Sequence, residues 1–205
     1  KARLARHVAF IDTYLDSLYR TSTDPESRLD AARAGLTNTC SWLGWFRAME
    51  LFGLEWANIL VIEPGAGRRY ELPDHIGAIR FHFPLPTKTS QATDTDMWCA
   101  YTSGSGFSAG KWFQRLRRSL GASDFPSAAT SVFQRRNGHM WTSAYYRSTY
   151  LLPPLERQRL QGDPYLVAYD GALPGTRLGN VFFSLHSYRD GAATHVTRHR
   201  PGCWR

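Results

Sequence analysis

Ala78-Ile79-Arg80-Phe81-His82-Phe83 alternates bulky apolar and polar side chains, the period-two signature of a half-exposed β-strand. Upstream, Asn58 to Glu63 (N-I-L-V-I-E) is a β-branched run closed by the turn signal Pro64-Gly65, which reads as a strand and turn. The polar segment 68–77 between the two reads as a loop. Downstream, Pro84-Leu85-Pro86-Thr87-Lys88-Thr89-Ser90 reads as a turn and Met97-Trp98-Cys99-Ala100-Tyr101 as a third strand. Short strands in direct succession predict an antiparallel meander beside a helical body. The fold class expected is therefore mainly α with a small three-stranded antiparallel β-sheet (α+β).

The helical body is read from three- and four-residue spacing. Leu4, Val8, Ile11, Leu15 and Leu18 recur at those steps with Arg3, Arg6, Asp12 and Asp16 between them, predicting an amphipathic helix over about residues 2–20. Asp24 is placed to cap a second helix with Pro25 in its first turn, and that helix is expected to run to about Phe52, with Gly53 as its stop. Its second half, Cys40 to Phe52, carries only Arg47 and Glu50 as charges, so a buried helix is expected there and those charges must be paired or chemically employed. A plain Arg47–Glu50 ion pair would satisfy them equally well.

Gly104-Ser105-Gly106 reads as a flexible hinge. It precedes a basic helix, Lys111 to Arg118, whose apolar positions Trp112, Phe113, Leu116 and Leu120 share one flank. Arg115, Arg117 and Arg118 on that helix are candidates for lying along a DNA backbone, although a solvated basic face is just as common. Trp141 to Leu152 is predicted as a Tyr-rich helix stopped by Pro153-Pro154, with a separate helical piece from Leu155 to Leu160. Gly162-Asp163-Pro164 and Asp170-Gly171 are turn signals, and a last helix is expected after Asn180 to Ser184.

Bulk properties narrow the class. The 205 residues suffice for a real core, 42% hydrophobic content excludes a disordered chain, and a net charge of +8 favours an anionic partner, nucleic acid first. Cys40, Cys99 and Cys203 form neither a C-x-x-C pair nor a disulfide framework, which points to a reducing, intracellular compartment. No apolar run approaches a membrane span, so no membrane partner is expected. His195 and His199 stand four apart without the acidic partner of a zinc-protease pattern, and no metal site is assigned to them or to Cys203.

The predicted final helix begins with Leu185-His186-Ser187-Tyr188-Arg189, which sets His186 and Arg189 one turn apart on the same face. Such a pair can offer one phosphate both a two-pronged cation and a proton-transfer group. With Arg47 and Lys88 they form an ordered set. Arg47-x-x-Glu50 followed by Leu54-Glu55-Trp56-Ala57-Asn58-Ile59 resembles the R-x-x-E…L-x-W-x-D-I box of the tyrosine recombinase (phage integrase) catalytic domain, with Asn58 in place of the usual Asp. Pro86-Thr87-Lys88-Thr89 is similar to the lysine hairpin between the family's second and third strands, and His186-Ser187-Tyr188-Arg189 with Gly191-Ala192-Ala193-Thr194 to its H-S-x-R…G-A-T box. Arg147 to Tyr150 and Gly162 to Tyr165 add a weaker likeness to recombinase-like genes of eukaryotic mobile elements.

The resemblance implies a recombinase catalytic core over residues 1–205, lacking the family's N-terminal core-binding domain and last C-terminal helices. It implies DNA breaking and rejoining in site-specific recombination or integration, through a 3′-phosphotyrosyl bond that needs no cofactor. Arg47 and Arg189 would clamp the scissile phosphate, Lys88 would protonate the leaving 5′-oxygen, His186 would assist proton transfer, and Glu50 would support them. No tyrosine follows Arg189, so no nucleophile is assigned, and these residues alone are expected to bind DNA without cleaving it. The alternative is a non-catalytic DNA-binding remnant of a recombinase. The partner implied is double-stranded DNA, with tetramers for a full-length homologue and a monomer for this stretch. The compartment would be the nucleus in a eukaryote and otherwise the cytoplasm.

Overall fold

The computed structural model describes residues 2–44, 46, 48–66, 77–84, 95–104, 106–121, 130–135 and 137–162. Arg47, Lys88, His186, Arg189, His195, His199 and Cys203 lie outside them, as do all but Gly77 of the predicted loop at 68–77, all but Pro84 of the predicted turn at 84–90, the turn at 170–171 and the last helix. Over the described residues the chain is mostly helical, with one three-stranded antiparallel sheet, an α+β arrangement. Among them, no helix is long and apolar enough to cross a membrane.

Helix α1 (Ala2–Thr21) lays Val8, Ile11 and Leu15 onto α2 (Pro25–Leu43), and all three are fully buried. Asp24 caps α2 as its position suggests: its carboxylate accepts hydrogen bonds from the Ser27 amide at 2.8 Å and hydroxyl at 2.7 Å, and Pro25 occupies the first turn. From Asp30 to Trp42 every residue of α2 is buried. Ala31, Ala32, Ala34 and Gly35 keep the helix narrow, so its neighbours approach closely. A Cβ on Gly35 would overlap the indole of Trp112, which belongs to α4 (Ala109–Ser119) and is itself fully buried.

Helix α2 does not run on to Phe52. It ends at Leu43, where the Gly44 amide donates to the Cys40 carbonyl at 2.8 Å, and a separate short helix α3 (Ala48–Phe52) follows. The break exists because Phe46 is folded back over Gly44, where a Cβ would meet its ring, and wedged under the sheet. Its ring centroid lies 4.9 Å from Phe81 and 5.9 Å from Phe83. Continuous apolar composition concealed a corner.

The sheet consists of β1 (Ile59–Ile62), β2 (Ala78–Phe83) and β3 (Thr95–Ala100) in the order β1-β2-β3, with Ile59 opposite Phe81 and Phe81 opposite Met97. Ile79, Phe81 and Phe83 face the core, while Arg80 and His82 face outward, where Asp96 pairs with His82 at 2.9 Å and reaches Arg80 at 3.5 Å. Where a hinge is expected, Gly106 takes φ +86°, its amide donates to the Ser103 carbonyl, and the Ser103 amide and hydroxyl donate to the Phe107 carbonyl.

After α4 the chain makes a hairpin-like excursion, with the Glu55–Ser131 and Gln134–Met140 bridges, that returns to the core at the buried Phe133 and Trp141. Helix α5 (Ser143–Tyr146), capped by Thr142, then continues through a π-helical segment (Arg147–Leu151) into α6 (Leu152–Leu160). Pro153 and Pro154 therefore do not stop a helix; they occupy the first turn of α6. The wider turn before them, closed by the Leu152 amide on the Arg147 carbonyl, relieves the ring-to-carbonyl clash that proline meets in a uniform α-helix.

Gly35→Ala tests the central approach. Overpacking against Trp112 is expected to cost about 1–3 kcal/mol, read as a lower urea midpoint with an unchanged slope. An unaltered midpoint would mean that α4 does not press on α2 at this point.

Candidate functional site

Glu50 is half-buried on α3, a five-residue helix too short to hold itself and fixed instead at both ends. Before it, Phe46 anchors the α2–α3 corner to β2. After it, Leu54 and Trp56 are buried, and a single 3-10 turn (Trp56–Asn58) leads directly into β1. Asn58 closes that turn. Its Oδ1 accepts from the Glu55 amide at 2.9 Å while its own amide donates to the Glu55 carbonyl at 3.0 Å. An aspartate at this position could accept the same bond. Phe46, the residue before Arg47 in sequence, packs on β2, and Lys88 lies in the sequence between β2 and β3.

Of the basic-helix candidates, Arg115 points inward rather than toward a ligand. Its Nη1 lies 2.6 Å from Asp16 and its guanidinium stacks 4.7 Å from the ring centres of both Tyr19 and Trp112. Position 115 follows Trp112 by one turn and faces α1, which explains the difference. Asp12 binds Lys111 at 2.9 Å and the Trp112 indole N–H at 2.6 Å, and Asp16 also holds Arg20 at 2.8 Å. Arg117 and Arg118 are exposed on the far side of α4. Burial acts to raise the Asp16 pKa, but the hydrogen bond and charge of Arg115, with Lys111 and Arg20, outweigh it and hold the carboxyl below its usual range.

A second polar cluster was not foreseen from sequence. Asp30 is almost wholly buried, pairs with Arg33 at 2.9 Å and accepts from the Tyr145 hydroxyl at 3.1 Å. Arg33 Nε donates to the Val132 carbonyl at 2.8 Å, tying α2 to the excursion. Tyr150 stacks on Trp141 with ring centres 5.3 Å apart and planes 4° from parallel, and its hydroxyl lies 3.5 Å from that of Tyr145. Burial, then the Tyr145 hydrogen bond and the Asp30 charge, push the Tyr150 phenol far above its ordinary range; burial first and Asp30 after it raise Tyr145. Tyr146 is fully buried. The three rings pack together as part of the core wall. The sequence signal was the i,i+3 pair Asp30–Arg33 amid small residues, but its partners lie about a hundred positions away.

Among the described residues no cluster of metal-ligating side chains occurs. No protein-family model matches the chain, and no curated protein is significantly similar to it.

Two stability predictions follow from these clusters. Asp30→Asn leaves Arg33 buried without a counter-charge and should cost about 3–5 kcal/mol in chemical denaturation, whereas a loss below about 1 kcal/mol would show that the pair is not buried in solution. Asp16 has a depressed folded-state pKa, so its contribution is complete above the unfolded value of about 4 and disappears as pH falls through the lower folded value. Asp16→Asn should therefore flatten the fall of Tm with acid below about pH 4; an identical acid limb in both proteins would contradict the pairing.

Proposed function

We propose that the chain supplies the phosphate-holding part of a tyrosine-recombinase-type centre for DNA breaking and rejoining. The observation that carries the reading is the order of the chemical boxes on the elements. R-x-x-E lies at the α2–α3 corner, the L-E-W-A-N turn runs into β1, the lysine lies between β2 and β3, and H-x-x-R follows the helical region. Retention of the turn by Asn58 supports reading 47–59 as one box despite its departure from the pattern.

In this reading Arg47 and Arg189 neutralise charge that grows on the nonbridging oxygens as the phosphate becomes pentacoordinate. Lys88, a compact ammonium in an interstrand connection, delivers a proton to the departing 5′-oxygen. His186 shares the phosphate and relays protons, and Glu50 orients the cations without reacting. The nucleophile is not Tyr145, Tyr146 or Tyr150, whose hydroxyls or rings are committed to the core. Arg117 and Arg118 contribute backbone contacts; Arg115 acts through α1 instead.

The chain should bind duplex DNA with a logarithmic affinity that falls linearly with the logarithm of salt concentration. Arg47→Ala should weaken that binding by about tenfold or more, equivalent to about 1.4 kcal/mol, in anisotropy titrations at fixed ionic strength. Affinity indifferent to salt, or to this substitution in a folded protein, would overturn the proposal. A nicked suicide duplex separates catalysis from simple binding: a recombinase containing these residues traps a covalent adduct, and a binding remnant does not.

A further inference from the structure

Between Asp124 and Glu156 the sequence has no carboxylate, yet it carries Arg135, Arg136, His139 and Arg147. The centre of that tract is a prebuilt turn. The Arg135 amide donates to the His139 carbonyl at 2.9 Å and the Gly138 amide to the Arg135 carbonyl at 2.9 Å. The His139 amide donates to Asn137 Oδ1 at 3.1 Å and Gln134 Nε2 to the Gly138 carbonyl at 3.0 Å. Gly138 adopts φ +81°, and a Cβ there would meet only open space. Asn137, Gly138, His139 and Met140 are all exposed. The turn is thus ordered by its own bonds while its side chains remain outside the core, so little ordering entropy is lost when a ligand meets it.

Its root is the proposed pocket's own scaffold. Val132 and Leu54 are joined through the Val132 amide at 3.0 Å, Trp56 donates to Thr130 at 3.1 Å, and Phe52 of α3 packs edge-on against Phe133 and Trp141 at 5.3 and 5.9 Å.

Charge compensation at the root is incomplete. One carboxylate, Asp30, serves two guanidiniums: Arg33 takes it at 2.9 Å, while Arg135 Nε stays 3.7 Å away, beyond hydrogen-bond reach, and meets no other acceptor among the described residues. The Arg135 side chain stacks 4.5 Å from the Tyr145 ring centre and is 34% exposed. Cation–π stacking and half a share of Asp30 fix its position without cancelling its charge.

We propose that the turn described by residues 134, 135 and 137–140 is a second contact to the DNA backbone, separate from the scissile-phosphate pocket, with Arg135 as its anchored cation and Asn137 and His139 at its face. The inference rests on the DNA-binding reading above and adds a location to it. Asn137→Asp/His139→Glu adds two negative charges while keeping the Oδ1 acceptor that closes the turn. Ala9→Glu/Thr13→Glu adds the same charge on the exposed face of α1. In anisotropy titrations with a labelled duplex, the turn variant should lose about tenfold in affinity and about one unit of salt slope, and the α1 variant less than about threefold. Equal losses from both, or none from the turn variant while the wild type binds, would overturn the contact and leave the DNA reading standing. A wild-type chain that binds no duplex would end both. Should the double variant lower Tm, His139→Glu alone, which leaves Asn137 and the backbone bonds in place, is measured against Thr13→Glu under the same criteria.

Discussion

The close approach of Trp112 to the bare backbone of Gly35 sets the spacing from which the remaining structure follows. A helix enclosed from Asp30 to Trp42 must be narrow where its neighbours press on it, hence Ala31, Ala32, Ala34 and Gly35. Enclosure also fixes the fate of its charges. Asp30 and Arg33 cannot reach water, so each needs partners brought from elsewhere in the chain, and those partners recruit whole segments. Arg33 holds the 132 carbonyl, Asp30 holds Tyr145, and Trp141 and Tyr150 stack to close the aromatic wall. Polar groups here specify which segment packs where, whereas apolar contact supplies most of the driving force.

The same logic sorts the cations. Net charge of +8 suggests a uniformly basic surface, but Lys111 and Arg115 are turned toward α1, where Asp12 and Asp16 neutralise them and aromatic faces cover them. What remains outward on α4 is Arg117 and Arg118, and on the far hairpin the carboxylate-free turn. Among the described residues of α4, positive charge is therefore sorted by direction rather than spread evenly.

Legibility in the sequence tracked the range of the physics. Elements decided by their own periodicity were readable: α1, the three strands, the Asp24 cap and the buried flank of α4 all follow from local spacing. Elements decided by distant partners were not. The corner at Gly44–Phe46 exists because β2 offers Phe81 and Phe83, and nothing between Cys40 and Phe52 signals it. Pro153-Pro154 reads as a stop under local rules, yet a π-helical widening one turn earlier absorbs the clash. Arg115 looks identical to Arg117 and Arg118 until the direction of α1 is known. The chemical boxes are patterns of residue type, which is a different kind of signal, and of the catalytic candidates Arg47, Glu50, Lys88, His186 and Arg189 only Glu50 lies among the described residues.

Short α3 shows how a fold can hold an intrinsically unstable piece in place. Five residues cannot nucleate a helix in isolation, because the first turn costs more conformational freedom than one hydrogen bond returns. Here the cost falls on the flanks: Phe46 is buried against β2, Leu54 and Trp56 enter the core, Asn58 locks the following turn, and Phe52 meets the 133–141 excursion and Tyr146. A carboxylate such as Glu50, carried on so constrained a turn, has little freedom to reorganise. Electrostatic stabilisation of a phosphate depends on that property, since groups that must move to meet developing charge give back much of what they gain. Rigidity at α3 is thus a requirement that the proposed chemistry and the packing of the core share.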